Sequence, residues 1–166
     1  MNHRRILNRA AAIAAFAFFT ASIARADEVM NIHVVTHATS AQSQEVGDVD
    51  GHALGLVRQS GLALFADGSV GTTYFTATND YTKGAGTYFA YYNLTLKDGS
   101  ALWFKVTGLA KPDETTTIFP EAPVSVIRGT GRFEGVKGDG TFTGQRVTPL
   151  AVGADLYADI VINLRK

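Results

Sequence analysis

The stretch IRGTGRFEGVKGDGTFTG, residues 127–144, decides how this chain folds, because six of its eighteen residues are glycine. A phosphate-binding loop needs such glycines between a strand and a helix, but residues 141–143 that follow here favour a strand. A flexible linker is also disfavoured, because Phe133 and Val136 are side chains that need burial. We therefore interpret the glycines as tight turns and bends within β-strands.

The remainder of the chain after residue 26 has the same character. No window of helical length keeps an apolar stripe, whereas short segments rich in Val, Thr, Tyr, Phe and Ile recur between Gly, Asp and Asn. Asp67-Gly68 and Asp98-Gly99 predict type I′ hairpin turns. Pro120 and Pro123 restrict the sixth strand to an edge or a bend. The predicted strands are residues 29–37, 52–66, 69–79, 87–97, 101–109, 115–128, 138–146 and 154–164.

An all-β chain of eight antiparallel strands must protect its two sheet edges. Closure into a barrel removes both edges, and glycines relieve the crowding where a small barrel coils sharply. A two-sheet sandwich fits the strand number equally well. The glycine density favours an eight-stranded antiparallel β-barrel.

The N-terminus has the features of a secretory signal peptide. Arg4, Arg5 and Arg9 precede an apolar run, and Ala24-Arg25-Ala26 provides a cleavage pattern. The run is shorter than the ~18 apolar residues that a membrane span needs. We therefore expect residues 1–26 to be a signal peptide, residues 27–166 to be a single domain, and the protein to be exported, either periplasmic or secreted.

Composition narrows the choice of partners. Four of the fifteen basic residues and none of the fifteen acidic ones precede residue 27, so the mature chain has eleven basic residues and a net charge of −4. Without basic clusters, we expect no nucleic-acid partner and no membrane partner after cleavage. Cysteine is absent, so stability must come from apolar burial rather than from disulfides.

The segment that starts at Val126 also resembles a known family. Val-Ile-Arg-Gly-Thr-Gly-Arg-Phe-Glu-Gly-Val-Lys-Gly, followed by Asp-Gly-Thr-Phe, is similar to the signature hairpin of the allene oxide cyclase and dirigent barrel superfamily. The resemblance implies an eight-stranded barrel, a secretion signal as in dirigent proteins, and a homo-oligomer, either a trimer or a dimer. It implies no cofactor.

Two positions depart from the family pattern. Lys137 stands where plant dirigent proteins commonly have arginine, so the positive charge is kept but the planar guanidinium is lost. The cyclases present a Glu-x-Asn pair on the first strand, and the nearest equivalent here is Asn31-x-His33. Because the carboxylate is missing, the cyclase reaction is not carried over.

The first strand leaves two interpretations open. Asn31, His33 and His37 share one face, which could line a wet pocket, and the other face contains Met30 and Ile32. Alternatively, the apolar face fills the interior and the histidines face solvent. His33 and His37 lie ~13 Å apart on a strand, too far to share one metal ion, and we predict no metal site.

Aromatic residues are dense between Tyr74 and Phe104. Both faces of residues 87–97 are apolar or aromatic, so the outer face needs a partner chain, which again predicts a homo-oligomer. Inner rings with a few polar groups form a small-molecule pocket, although they can equally be plain core. The candidate ligand-binding residues are Asn31, His33, Tyr88, Tyr92, Arg128, Lys137 and Tyr157.

These observations predict an exported barrel that binds a small apolar or aromatic molecule in its lumen. If it is an enzyme, it is isomerase- or cyclase-like and steers the cyclisation or coupling of its guest by positioning. The alternative is a non-catalytic ligand-binding or structural barrel.

Overall fold

The computed structural model describes residues 27–114, 116–149 and 152–166, and its secondary structure is almost entirely β-strand. The predicted signal peptide, residues 1–26, lies outside the described residues. The eight strands are β1 (Glu28–Glu45), β2 (His52–Phe65), β3 (Val70–Thr82), β4 (Ala85–Thr95), β5 (Ala101–Pro112), β6 (Thr117–Thr130), β7 (Lys137–Arg146) and β8 (Leu156–Arg165).

Each strand pairs antiparallel with the next in sequence, and β8 returns to pair with β1, for example at Met30 opposite Ile162. The sheet is therefore a closed barrel with no free edge, as predicted, and the sandwich is excluded. β1 is longer than expected. Its second half, from Ser40 to Glu45, pairs with β2 from Arg58 to Ala53.

The hairpin turns differ from the prediction. Lys83 and Ala154 are the non-glycine residues with positive φ in the described part of the chain, so Asp67 and Asp98 cannot take part in type I′ turns. At the first of these hairpins the Gly68 N–H donates to the Phe65 carbonyl (3.0 Å), the pattern of a three-residue loop. The type I′ pair is instead Lys83-Gly84, with φ of 52° and 83°.

The glycine-rich stretch forms turns and bends, as predicted. Gly131 has a φ of 61° and starts a single 3-10 turn, Gly131–Phe133, between β6 and β7. A Cβ on Gly129 would lie 2.1 Å from the Phe133 carbonyl oxygen, so only glycine allows that turn to fold back on β6. Pro120 lies at a register shift against β7 between Phe119 and Ala122, and both prolines of β6 lie where its pairing with β5 is irregular, which confirms a bent strand.

The interior contains the apolar face of each strand. Met30, Ile32 and Val34 are buried, and His33 and His37 lie on the outer surface, which settles the choice left open for β1. In the described part of the chain, no helix has the length and apolar character required to span a membrane.

The long β1–β2 connection is held by one histidine. The His52 ring contacts the carboxylate of Asp48 in the loop (2.6 Å) and that of Asp80 on β3 (2.8 Å). These hydrogen bonds raise the pKa of His52, with Asp48 the larger cause.

Candidate functional site

The two ends of the barrel differ. The closed end carries the β2–β3, β4–β5 and β6–β7 connections, and Phe133 of the 3-10 turn is buried there among the core residues. The open end carries the β1–β2, β3–β4, β5–β6 and β7–β8 connections. The candidate site lies at the open end.

A cavity of about 40 Å³ penetrates the barrel from the open end, within a hollow that has about 420 Å³ of free space when counted out to solvent. The enclosed part is room for about three water molecules. Its small and aliphatic walls are Val57, Ala77, Ala90 and Leu156. Three polar residues also line it: Gln59, Asn79 and Arg146. Six rings form the remainder of the wall: Phe75, Tyr81, Tyr88, Tyr92, Phe119 and Phe142.

The rings pack against one another in fixed geometry. Tyr92 stacks on Phe104, with centroids 5.1 Å apart and planes 4° apart, and it contacts Phe75 at 4.5 Å. Tyr88 meets Phe119 edge-on at 5.3 Å. Buried aromatic pairs of this kind are rigid and apolar, so they form a shaped floor for a guest.

Tyr88 places a buried hydroxyl in this floor. Its ring is 7% exposed, and its hydroxyl has no hydrogen-bond partner among the described residues. Gly108 on β5 makes room for that hydroxyl, because a Cβ there would lie 2.7 Å from it. A buried hydroxyl without a partner is costly, and functional sites are where such costs are retained.

Gln59 is the opposite case, since both ends of its amide are occupied. Its carbonyl accepts a hydrogen bond from the Thr36 hydroxyl (2.6 Å), and its amide donates to the Ala154 carbonyl (3.2 Å). Ala154 belongs to the β7–β8 connection, so Gln59 ties that residue to β2.

Arg146 lies at the end of β7 and lines the cavity. Its Nη1 lies 3.5 Å from the Thr117 hydroxyl, and its guanidinium is 5.9 Å from the Phe119 ring centroid. Its Nε is buried without a hydrogen-bond partner among the described residues, and Arg146 forms no salt bridge with a described carboxylate. Desolvation lowers the pKa of Arg146, with an opposing effect from Tyr81.

The ionisable groups of the cavity all favour hydrogen-bond donation. Burial raises the pKa of Tyr81 to about 12, and it also raises the pKa values of Tyr88 and Tyr92 well above their usual range. The tyrosines are therefore neutral at physiological pH, and Arg146 is a cation. No described residue that lines the cavity is a histidine, aspartate or glutamate.

The structure separates the predicted site residues. Tyr88 and Tyr92 lie together in the cavity wall. Asn31 and His33 line a shallow outer hollow, where His33 hydrogen-bonds Asp159 and meets the Tyr157 ring edge-on at 4.3 Å. Because β1 turns its apolar face inward, these side chains cannot reach the lumen.

The two predicted basic residues also lie outside the cavity. The Arg128 guanidinium lies 4.3 Å from the centroid of the Trp103 ring, and Lys137 is exposed at the start of β7, near the closed end. Four lining residues were not predicted from the sequence: Gln59, Asn79, Tyr81 and Arg146. The signal for Arg146 was its spacing from Phe142, because residues four apart on a strand share a face.

In the described residues, no group of three or more histidine, aspartate or glutamate side chains is placed to hold a metal ion.

Comparison with known proteins shows the fold. No protein-family model matches the chain, and no curated protein matches it. A pterocarpan synthase dirigent protein matches at 11% identity and a TM-score of 0.51, over 84% of this chain and 86% of that one. A conserved protein of unknown function from Rhodopseudomonas palustris matches at 11% identity and a TM-score of 0.51, over 84% and 99%.

A third structure, a pyocyanin demethylase, matches at 12% identity and a TM-score of 0.44, over 81% of this chain and 99% of that one. At such identities only the fold can be inferred. The resemblance to the allene oxide cyclase and dirigent barrels is confirmed at that level.

Proposed function

We propose that this chain, which has the dirigent-like barrel fold, is an exported protein that binds a small apolar or aromatic molecule at the open end and steers its cyclisation or coupling. One observation supports this above the others: the cavity is walled by aromatic rings, and the Tyr88 hydroxyl points to no partner within the described protein. A pocket of apolar rings with few polar groups is the usual architecture of a small-molecule site.

The chemistry of the wall limits what the site does to its guest. Tyr88 and Arg146 can donate hydrogen bonds and stabilise negative charge that develops on an oxygen atom. The described lining residues therefore favour positioning of the guest and stabilisation of charge. A guest that already contains its reactive group needs only to be held in one conformation and shielded from water, and positioning then lowers the barrier.

A non-catalytic binding or structural barrel is the second candidate, and the small cavity favours it. An enclosed volume of about 40 Å³ is below the size of a ring compound, so a guest must displace the half-buried side chains of Arg146 and Tyr81 at the mouth. Turnover distinguishes the two candidates. A structural barrel would hold no guest, and a binding barrel would release its guest unchanged.

Native mass spectrometry of the protein purified from its own host tests the proposal. We expect the wild-type protein to retain a ring-containing guest and the Ala77→Leu variant, which fills the cavity, to lose it. Thr78→Leu adds similar bulk on the opposite face of β3 and should keep the guest. A wild-type protein found only at its ligand-free mass, even after incubation with ring compounds, would contradict binding. Any guest released can then be assayed for ring closure.

Export and self-association belong to the same proposal. Export is proposed from residues 1–26 of the sequence. Self-association is proposed from an outer apolar patch on β8, β1, β2 and β3, in which Tyr157 pairs with Val35 and Val35 with Leu62 across the strands. These three side chains are 39%, 47% and 51% exposed, and Leu64 and Val70 extend the patch. A second copy of the chain would cover it.

A further inference from the structure

Two polar groups that line the cavity lack an acceptor. The Arg146 Nε and the Tyr88 hydroxyl are buried without hydrogen-bond partners among the described residues, and both residues line the same cavity. Tyr88 is more than nine-tenths buried. The carbonyl of Gln59, an acceptor in the wall, is already engaged by Thr36. The wall thus presents unused donors.

Arg146 also lacks a negatively charged partner among the described residues. Arg146 carries a full positive charge at the rim of an apolar hollow, and its near neighbours are the Thr117 hydroxyl and the Phe119 ring rather than an acid. Removing a cation from water without a partner is costly, and a guanidinium is rarely buried unless it is paired. A bound anion would restore the balance, and a guanidinium matches a planar carboxylate in both charge and shape.

We propose that the guest is a ring-bearing organic carboxylate, whose apolar body lies among the aromatic rings and whose carboxylate pairs with Arg146 at the mouth. This inference rests on the proposed function, because it names the substrate class of the same cavity. Tyr88 supplies a second donor, deeper in the wall, for an oxygen atom of the guest body. Arg146 would select the anion, and the rings would select its shape.

The test uses two probes of nearly equal shape, cinnamate and its neutral amide cinnamamide. Affinity is measured by titration calorimetry for the wild-type protein and the Arg146→Gln, Arg146→Lys and Arg58→Gln variants. Arg58→Gln is the matched control, since it removes the same charge from an exposed position on the outer face of β2. A salt series on the wild-type protein provides a readout that needs no variant.

We expect cinnamate to bind the wild-type protein at least about tenfold more tightly than cinnamamide, with an affinity that falls as salt rises. Arg146→Gln should remove this preference, so that cinnamate binds no more tightly than cinnamamide, whereas Arg146→Lys should retain part of it. Arg58→Gln should leave both affinities unchanged.

Two results would overturn the inference, and they are distinguishable. If cinnamate and cinnamamide bind equally, with no effect of salt or of Arg146→Gln, the guest is not an anion and the proposed function stands. If neither probe nor any other ring compound binds the wild-type protein, the proposed function fails and the inference fails with it.

Discussion

Replacing Tyr88 with phenylalanine should stabilise the ligand-free protein. The substitution keeps the ring and its edge contact with Phe119 at 5.3 Å, and it removes a hydroxyl that has no partner among the described residues. A buried hydroxyl without a hydrogen bond costs ~1–3 kcal/mol. Because the side chain keeps 7% of its exposure, we expect a gain near the low end, about 1 kcal/mol. For a domain of this size the midpoint of thermal unfolding should rise by about 3 °C.

Urea unfolding of the purified protein measures this gain. Tyr91→Phe is the matched control, because Tyr91 lies on the outer face of β4 and is 53% exposed, and its free energy of unfolding should change by less than ~0.5 kcal/mol. If Tyr88→Phe instead destabilises the protein by about 1 kcal/mol or more, the hydroxyl is bonded within the fold, and the reasoning about an unused donor is refuted.

Gly108, His52 and Leu62 provide three further tests. Gly108→Ala places a Cβ 2.7 Å from the Tyr88 hydroxyl and should lower the free energy of unfolding, measured in urea, by ~1–3 kcal/mol. An unchanged free energy of unfolding would contradict the close contact between Gly108 and Tyr88. The pKa of His52, measured by NMR, should exceed its ordinary value of 6.5. The contribution of His52 to stability is therefore complete below pH 6.5 and is lost as the pH rises through the folded-state pKa. Asp48→Asn should lower the pKa of His52, and an unchanged pKa would argue against the Asp48 contact. In sedimentation, the wild-type protein should be an oligomer and the Leu62→Glu variant a monomer; a monomeric wild-type protein would contradict self-association.

Much of the fold could be predicted because strand alternation and turn residues are local signals. The glycine-rich stretch and the two prolines of β6 indicated bends, and both lie at bends in the barrel. The second half of β1 could not be predicted, because its small polar residues have little strand propensity and are extended only through pairing with β2. The Lys83-Gly84 turn was missed because lysine rarely adopts positive φ.

The site was only partly predictable for a related reason. Alternation placed Tyr88 and Tyr92 on one face of β4, but both faces of that strand are apolar or aromatic, so the pattern did not show which face lines the interior. For β1, alternation defined two faces but did not show which one points inward. In the structure the apolar face of β1 points into the barrel. Arg146 was missed because a basic residue at a strand end usually faces solvent, and only the register of β7 against β6 places it beside Phe119.

The most direct test of binding at the open end is a backbone NMR titration with cinnamate. Binding there should shift the amide signals of the residues that line the cavity, among them Tyr88, Phe119 and Arg146, and should leave those around Phe133 at the closed end unchanged. Shifts confined to the outer hollow near His33, or no shifts at all, would contradict the account.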